Sequence, residues 1–171
     1  METKVASVMD TMPYGLYIIG SRSGDDDGMM ADWVMQVSFH PRLIAVAFEN
    51  DARTLENIRS LGVFTVNMLS EDQQSMTLAA RFAQPYSDSK IGGRASGVTA
   101  RAHHKLADGT FTRADNGCAV LDGAMAWLEC RAREFLPAGD HTLVVAEVTG
   151  GESRRDAEPL TSRYTGWNYS G

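Results

Sequence analysis

Cysteine is scarce in this chain: Cys118 and Cys130 are the only two in 171 residues. Two thiols cannot build a disulfide framework, and they predict free cysteines in a soluble, cytoplasmic protein. Long apolar runs are missing too. The longest near the start, Leu16 to Gly20, is far short of the ~20 residues that span a bilayer, so no membrane is expected. Met1 to Asp10 mixes Lys4 with Glu2 and Asp10 and lacks an apolar stretch, unlike a secretory leader. Positive charge is in deficit, with 16 Lys and Arg against 22 Asp and Glu, for a net charge of −6. That balance speaks against nucleic acid and against a polybasic membrane anchor.

The chemical fingerprints are also lacking. There is no Gly-x-Gly-x-x-Gly opening a helix, no P-loop, no His-Glu-x-x-His, no Cys-x-x-Cys and no Gly-x-Ser-x-Gly elbow. A Rossmann dinucleotide site is therefore not expected. The triplet Asp25-Asp26-Asp27 lacks the alternate spacing of a calcium loop and reads as a solvated hairpin turn between Gly24 and Gly28. His103 and His104 are adjacent, which points their rings apart in a strand, so no metal site is expected.

What is present is one domain's worth of chain, residues 1–171, with 43% hydrophobic and 22% charged residues. Tyr14 to Gly20, Leu43 to Phe48 and Val63 to Leu69 read as buried strands. Met29 to Phe39 is extended but irregular. Ala124 to Phe135 alternates, with Ala126, Leu128, Cys130 and Ala132 on one face, as a half-buried antiparallel strand does. A turn at Pro137 to Asp140 leads into a strand from His141 to Val148. Two short helices interrupt this pattern. One runs to Gly62 behind a cap at Asn50 or Asp51, with Leu55, Ile58 and Leu61 as its apolar side. The other opens on a capping box at Ser70 to Gln73 and ends near Phe82. Residues 84–116 are polar and Gly-punctuated, with a short strand near Val98 to Ala102. The sum is a mainly β barrel or sandwich.

Several segments in order resemble one family. They are Met12 to Gly20, Gly28 to Pro41, Asn50 to Asn57, Val63-Phe64-Thr65-Val66-Asn67-Met68-Leu69, Leu121 to Cys130, Gly139-Asp140-His141, and Pro159-Leu160 with Arg163-Tyr164. Together, over nearly the whole chain, they look like the flavin reductase-like family. The resemblance implies a Greek-key, antiparallel FMN-binding split β-barrel. It implies FMN, or FAD, reduced by NADH or NADPH, with reduced flavin or electrons passed to a monooxygenase or other redox partner. A homodimer is implied as well, and the aromatic tail Tyr164, Trp167 and Tyr169 suits an interface or a core equally.

Carried over by position, the resemblance puts the flavin along Met30, Ala31, Asp32, Trp33, Val34, Gln36 and Ser38. It puts the phosphate on Asn50, Arg53 and Thr54, where a helix start offers free N–H groups and a positive dipole end. His141 becomes the catalytic candidate, close to flavin and nicotinamide, and Tyr164 a further cofactor contact. Plainer readings stand beside these: an edge strand with an anchoring Trp, a capped surface helix, a packing histidine. The chain also departs from the family pattern. Asp32 stands where Asn is common, Trp33 where a small hydroxyl residue is common, Arg42 in place of a second proline, and Cys118-Ala119 in place of a Gly-x-Pro approach. These departures leave open an electron-transfer flavoprotein without nicotinamide oxidation, or a deazaflavin-binding split barrel.

Overall fold

The computed structural model describes residues 2–83, 105–106 and 109–167. The chain order is α1 (Glu2–Met9), β1 (Tyr17–Ser23), β2 (Asp25–Ala31), β3 (Val34–Ser38), β4 (Leu43–Glu49), α2 (Arg53–Leu61), β5 (Val63–Met68), α3 (Gln73–Phe82), β6 (Phe111–Arg113), β7 (Ala119–Leu121), β8 (Ala126–Ala138), β9 (His141–Ser153) and α4 (Ser162–Thr165). Seven strands make one antiparallel sheet in the order β2-β1-β5-β8-β9-β4-β3, and β6 and β7 pair separately. The expected mainly β split barrel is therefore the observed fold.

The split has a definite address. β2 and β3 are the two opposite edges of the seven-stranded sheet, yet only Asp32 and Trp33 separate them in sequence. Two linking residues span at most ~10 Å, so the sheet must curl until its edges nearly meet. The edges do not pair with each other, and the barrel stays open along that seam.

Inside the curl, Ile19, Val46, Phe48, Phe64, Val66 and Val144 are fully buried. Phe48 and Phe64 meet edge to face with centroids 6.4 Å apart. A second cluster, with Leu16, Ile18, Leu69, Phe82 and Leu160, packs α3 and β7 against the sheet. Asn67, fully buried on β5, ties the two layers together. Its amide donates to the Ile18 carbonyl at 3.0 Å, and its Oδ1 accepts from the Leu121 N–H at 2.8 Å.

Several local expectations change. The β1–β2 turn needs Gly24 alone, at φ +80, and Ser23 pairs directly with Asp25. The acidic triplet is strand: Asp26 takes both 2.7 Å bonds of the Arg113 guanidinium, and Asp27 is buried. Ala52 is the N-cap of α2, without a side-chain cap bond. Leu61 is 50% exposed, because a three-residue spacing drifts off one helix face and Thr54 and Asn57 take the buried side instead. The cap of α3 is Asp72, which accepts from the Ser75 N–H at 2.7 Å, while Ser70 donates to Asp72. The described residues hold four helices rather than two. In and beyond α1, Val5, Val8, Met9 and Met12 form an exposed stripe at i, i+3, i+4 and i+7 that marks an amphipathic helix. The expected strand near Val98 to Ala102, and His103 and His104, lie outside the described residues.

Candidate functional site at the barrel seam

Four strand ends and one helix start converge at the seam. Glu49, the last residue of β4, pairs with His141, the first of β9. The Ala47 N–H donates to the Trp33 carbonyl at 3.1 Å, which fixes the seam linker against β4. Three residues separate the end of β4 from the start of α2. The β2–β3 linker, His141 and the start of α2 therefore share one end of the sheet.

The side chains follow. The rings of Trp33 and His141 lie with centroids 4.8 Å apart at 43°, and Tyr14 is 6.4 Å from Trp33. Tyr14 was not singled out as a site residue in the sequence, although it stands in the segment Met12-Pro13-Tyr14 that carries the family resemblance. It is held by its own backbone: its N–H donates to the Ser162 hydroxyl at 3.0 Å, and its carbonyl accepts from the Ser162 N–H at 2.8 Å. Those bonds dock α4, and with it the half-exposed Tyr164, beside Tyr14.

Asp32 is the charged residue of the linker. Burial raises its carboxyl from 3.8 to about 6, against the N–H groups of Asp32 and Trp33 and the positive field of His141, which lower it. His141 Nδ1 lies 2.7 Å from Asp140 Oδ1, and the imidazole is only 13% exposed while Asp140 is 94% exposed. That bond holds the Asp140 carboxyl below its ordinary value.

The linker's neighbours divide between the layers. Ala31 and Val34 pack on the barrel interior, whereas Met30 packs on the second cluster. Gln36 and Ser38 lie on edge strand β3, where the Gln36 amide donates to the Ser38 carbonyl at 3.2 Å. Asn50 is a clip. Its amide donates to the Gly139 carbonyl, its Oδ1 accepts from the Thr142 hydroxyl at 2.7 Å, and its N–H donates to the Asp140 carbonyl. It locks the turn that carries His141 to the loop that carries α2. Thr54 is buried, and its hydroxyl donates to Asp27 at 3.3 Å. What α2 offers at its start is backbone: the first intrahelical bond runs from the Glu56 N–H to the Ala52 carbonyl. The N–H groups of Arg53, Thr54 and Leu55 thus precede the helical ladder, and the N-cap residue Ala52 contributes no side-chain bond to them.

This donor set suits a flavin mononucleotide in two respects. A helix start, with Arg53 as its first helical residue, matches a phosphate. An aromatic pair beside an irregular backbone segment matches a flat heteroaromatic ring with a polar edge.

Two other features carry less chemistry. A shallow depression of about 340 Å³ lies at the far end of β9, around Trp127, Gly150 and Gly151, where Trp127 Nε1 already donates to Glu152. Cys118 and Cys130 are free and buried, and burial pushes their thiols up to about 11 and about 12. Among the described residues no group of His, Cys, Asp and Glu is arranged to hold a metal ion, and no helix is long and apolar enough to cross a membrane.

Comparison with known proteins agrees with this geometry. The actinorhodin polyketide dimerase of Streptomyces coelicolor is 34% identical over 142 residues, covering 82% of this chain and 70% of that protein. The putative diflavin flavoprotein A 5 of a Nostoc species is 30% identical over 171 residues, but the chain spans only 27% of its length. The solved structure of the flavin reductase PheA2 superposes with a TM-score of 0.74 at 28% identity, covering 94% of this chain and 92% of that one. Residues 9–168 match the flavin reductase like domain, and the chain belongs to that family.

Proposed function

We propose that this chain binds FMN at the barrel seam, with FAD held through the same contacts, and reduces it with NADH or NADPH. The observation that carries the reading is the convergence of Asp32, Trp33 and His141 with the start of α2 at one end of the sheet. Bound flavin would accept a hydride (two electrons and one proton) at N5, leaving NAD(P)⁺ and a reduced flavin with one added negative charge.

The residues divide the work. The amides of Arg53, Thr54 and Leu55, with the Arg53 guanidinium, would hold the phosphate. Met30, Ala31, Asp32, Trp33 and Val34 would line the ring, and Gln36, Ser38 and Tyr164 would border it. Asn50 and Thr54 act through their bonds to Thr142, Gly139 and Asp27, holding His141 and α2 in place. His141 meets the nicotinamide and flavin side of the site. A homodimer is part of the reading: Met35 and Val37 on edge strand β3 and Phe39 just past its end are exposed apolar residues, with Phe39 76% exposed.

The test is steady-state oxidation of NADH and NADPH with added FMN, FAD and riboflavin. Turnover above the flavin-only background is expected, and its absence with every pair overturns the reading. One observation favours a second function, an FMN electron-transfer protein fed by another protein. Trp33 already lies tilted against His141, its ring centroid 4.8 Å away, where a nicotinamide ring would have to approach. Anaerobic bleaching of the purified yellow protein by NAD(P)H separates the two.

A further inference from the structure

A second polar cluster lies where the β1–β2 hairpin meets the β6–β7 hairpin. From Asp26 there to Asp32 at the seam is ~20 Å of extended chain. Arg22 and Asp26 are cross-strand partners, but the Asp26 carboxylate is committed elsewhere. Both of its oxygens accept from Arg113 at 2.7 Å, and Arg113 also donates to the Gly117 carbonyl at 2.8 Å. The Arg22 guanidinium lies over the same glycine, where a Cβ would stand 3.0 Å from Nη1, and Gly117 holds φ +83. The turn beneath is fixed, because Asn116 donates to the Phe64 carbonyl and accepts from the Cys118 N–H at 3.0 Å. The neighbouring carboxylates face other partners: Asp27 accepts from Thr54, and Glu129 accepts from Thr149. Among the described residues the Arg22 side chain makes no hydrogen bond, and its Nε is buried without an acceptor.

We propose that Arg22 and Arg113, set side by side on Gly117, form a binding site for a phosphate-type oxyanion, separate from the flavin site at the seam. A guanidinium with a buried, unsatisfied nitrogen costs stability, and native proteins keep few such groups. The chain's own carboxylate cannot relieve it, since Arg113 saturates Asp26. Arg113 in turn is not exhausted. Its three bonds leave two of its five N–H groups, and its side chain is 47% exposed, so the cluster opens to solvent. A planar guanidinium fork matches an oxyanion, and a phosphate group has three acceptor oxygens, enough to meet both arginines at once. Inorganic phosphate and the phosphate of a nucleotide share this chemistry.

The experiment is thermal melting of the purified protein in inorganic phosphate against chloride at matched ionic strength, with and without saturating FMN. Phosphate is expected to raise the melting temperature of the native protein by ~2–4 °C along a saturating titration. Arg22→Met, which keeps the stem and removes the fork, should lose most of that rise. The difference between native protein and variant should persist with FMN, which on the seam reading already fills the start of α2. Arg22→Lys, which keeps the charge without the fork, should retain less than half of the rise and serves should the Met variant not fold. No gain over chloride in the native protein overturns the proposal, and so does a rise retained in full by both variants. Adenosine monophosphate in the same melt separates the sources. A rise at ~10-fold lower concentration than phosphate, lost in Arg22→Met, assigns the site to a nucleotide, and a rise no stronger than phosphate's assigns it to the free ion. The melt without FMN needs neither flavin nor nicotinamide, so its failure leaves the seam reading untouched.

Discussion

Asn67 and Asp32 are both enclosed polar residues on or beside a strand, and the contrast between them separates scaffold from site. Asn67 has no exposure, and its amide and carbonyl meet backbone groups of β1 and β7. Thr65 beside it donates to the Ala119 carbonyl. That station is electrically neutral and closed, so it fastens two layers and offers nothing to a ligand. Asp32 sits where the sheet's two edges fail to join, carries charge, and shares its surroundings with two aromatic rings and an imidazole. A fold tolerates such incomplete compensation at a site because the core elsewhere supplies stability.

The largest effect expected from breaking this contrast is at the closed station. Asn67→Leu strands the Leu121 N–H and the Ile18 carbonyl in a dry layer, and should cost ~2–4 kcal/mol. Calorimetry should then show a melting temperature lower by ~5–15 °C. A loss within 1 °C would mean that the network is not what fastens β7 to the sheet.

Asp32→Asn is expected to do the opposite. A carboxyl raised in the folded protein binds its proton more tightly than in the unfolded chain, so native stability falls as pH climbs from about 4 to about 6 and stays lowered above that. The shift from 3.8 to about 6 corresponds to a penalty on the order of 2–3 kcal/mol at pH 8. The neutral variant should recover most of it in denaturant titrations of flavin-free protein at pH 8, and little at pH 4. Equal stabilities of native protein and variant across that range would remove the claim that Asp32 is strained by burial.

Asn50→Ala sits between the two cases, since it loosens the site through the scaffold. It should cost ~1 kcal/mol and weaken oxidised-FMN binding several-fold, while Asn50→Asp, which retains an acceptor for Thr142, keeps more of both. The smallest effect is a null one. With thiols raised to about 11 and about 12 and both side chains buried, neither Cys118 nor Cys130 should react with a disulfide reagent at pH 8 until the protein is unfolded. Rapid labelling of either one in the native state would show that its layer opens.

Much of the scaffold was legible because its signals are local. The alternation at Ala126 to Ala132 marked β8, and Cys130 is indeed buried with Leu128 and Ala132 packed beside it. Gly62 ends α2 in the left-handed region, as its position predicts. Boundaries set by competition between side chains were not legible. Asn50 looks like a helix cap in sequence, but Gly139 and Thr142, ninety residues away, engage it first and leave Ala52 at the cap. Thr54 looks like a phosphate ligand, and Asp27 takes its hydroxyl. Tyr14 became visible as a neighbour of Trp33 only once α4 had docked on it.

The sequence by itself determined an acidic, mainly β chain with two buried thiols, a helix after β4 and a histidine opening the last long strand, because composition and periodicity act over a few residues. Tertiary structure decided that the chain's two sheet edges meet across Asp32 and Trp33, and that His141 and the start of α2 lie at that seam. The curl of a seven-stranded sheet is a sum of twists and pairings spread from Tyr17 to Ser153, and no local pattern records it. It also decided the sign of Asp32's influence. A carboxylate is ordinary in sequence, and only its burial beside a single imidazole makes its charge costly.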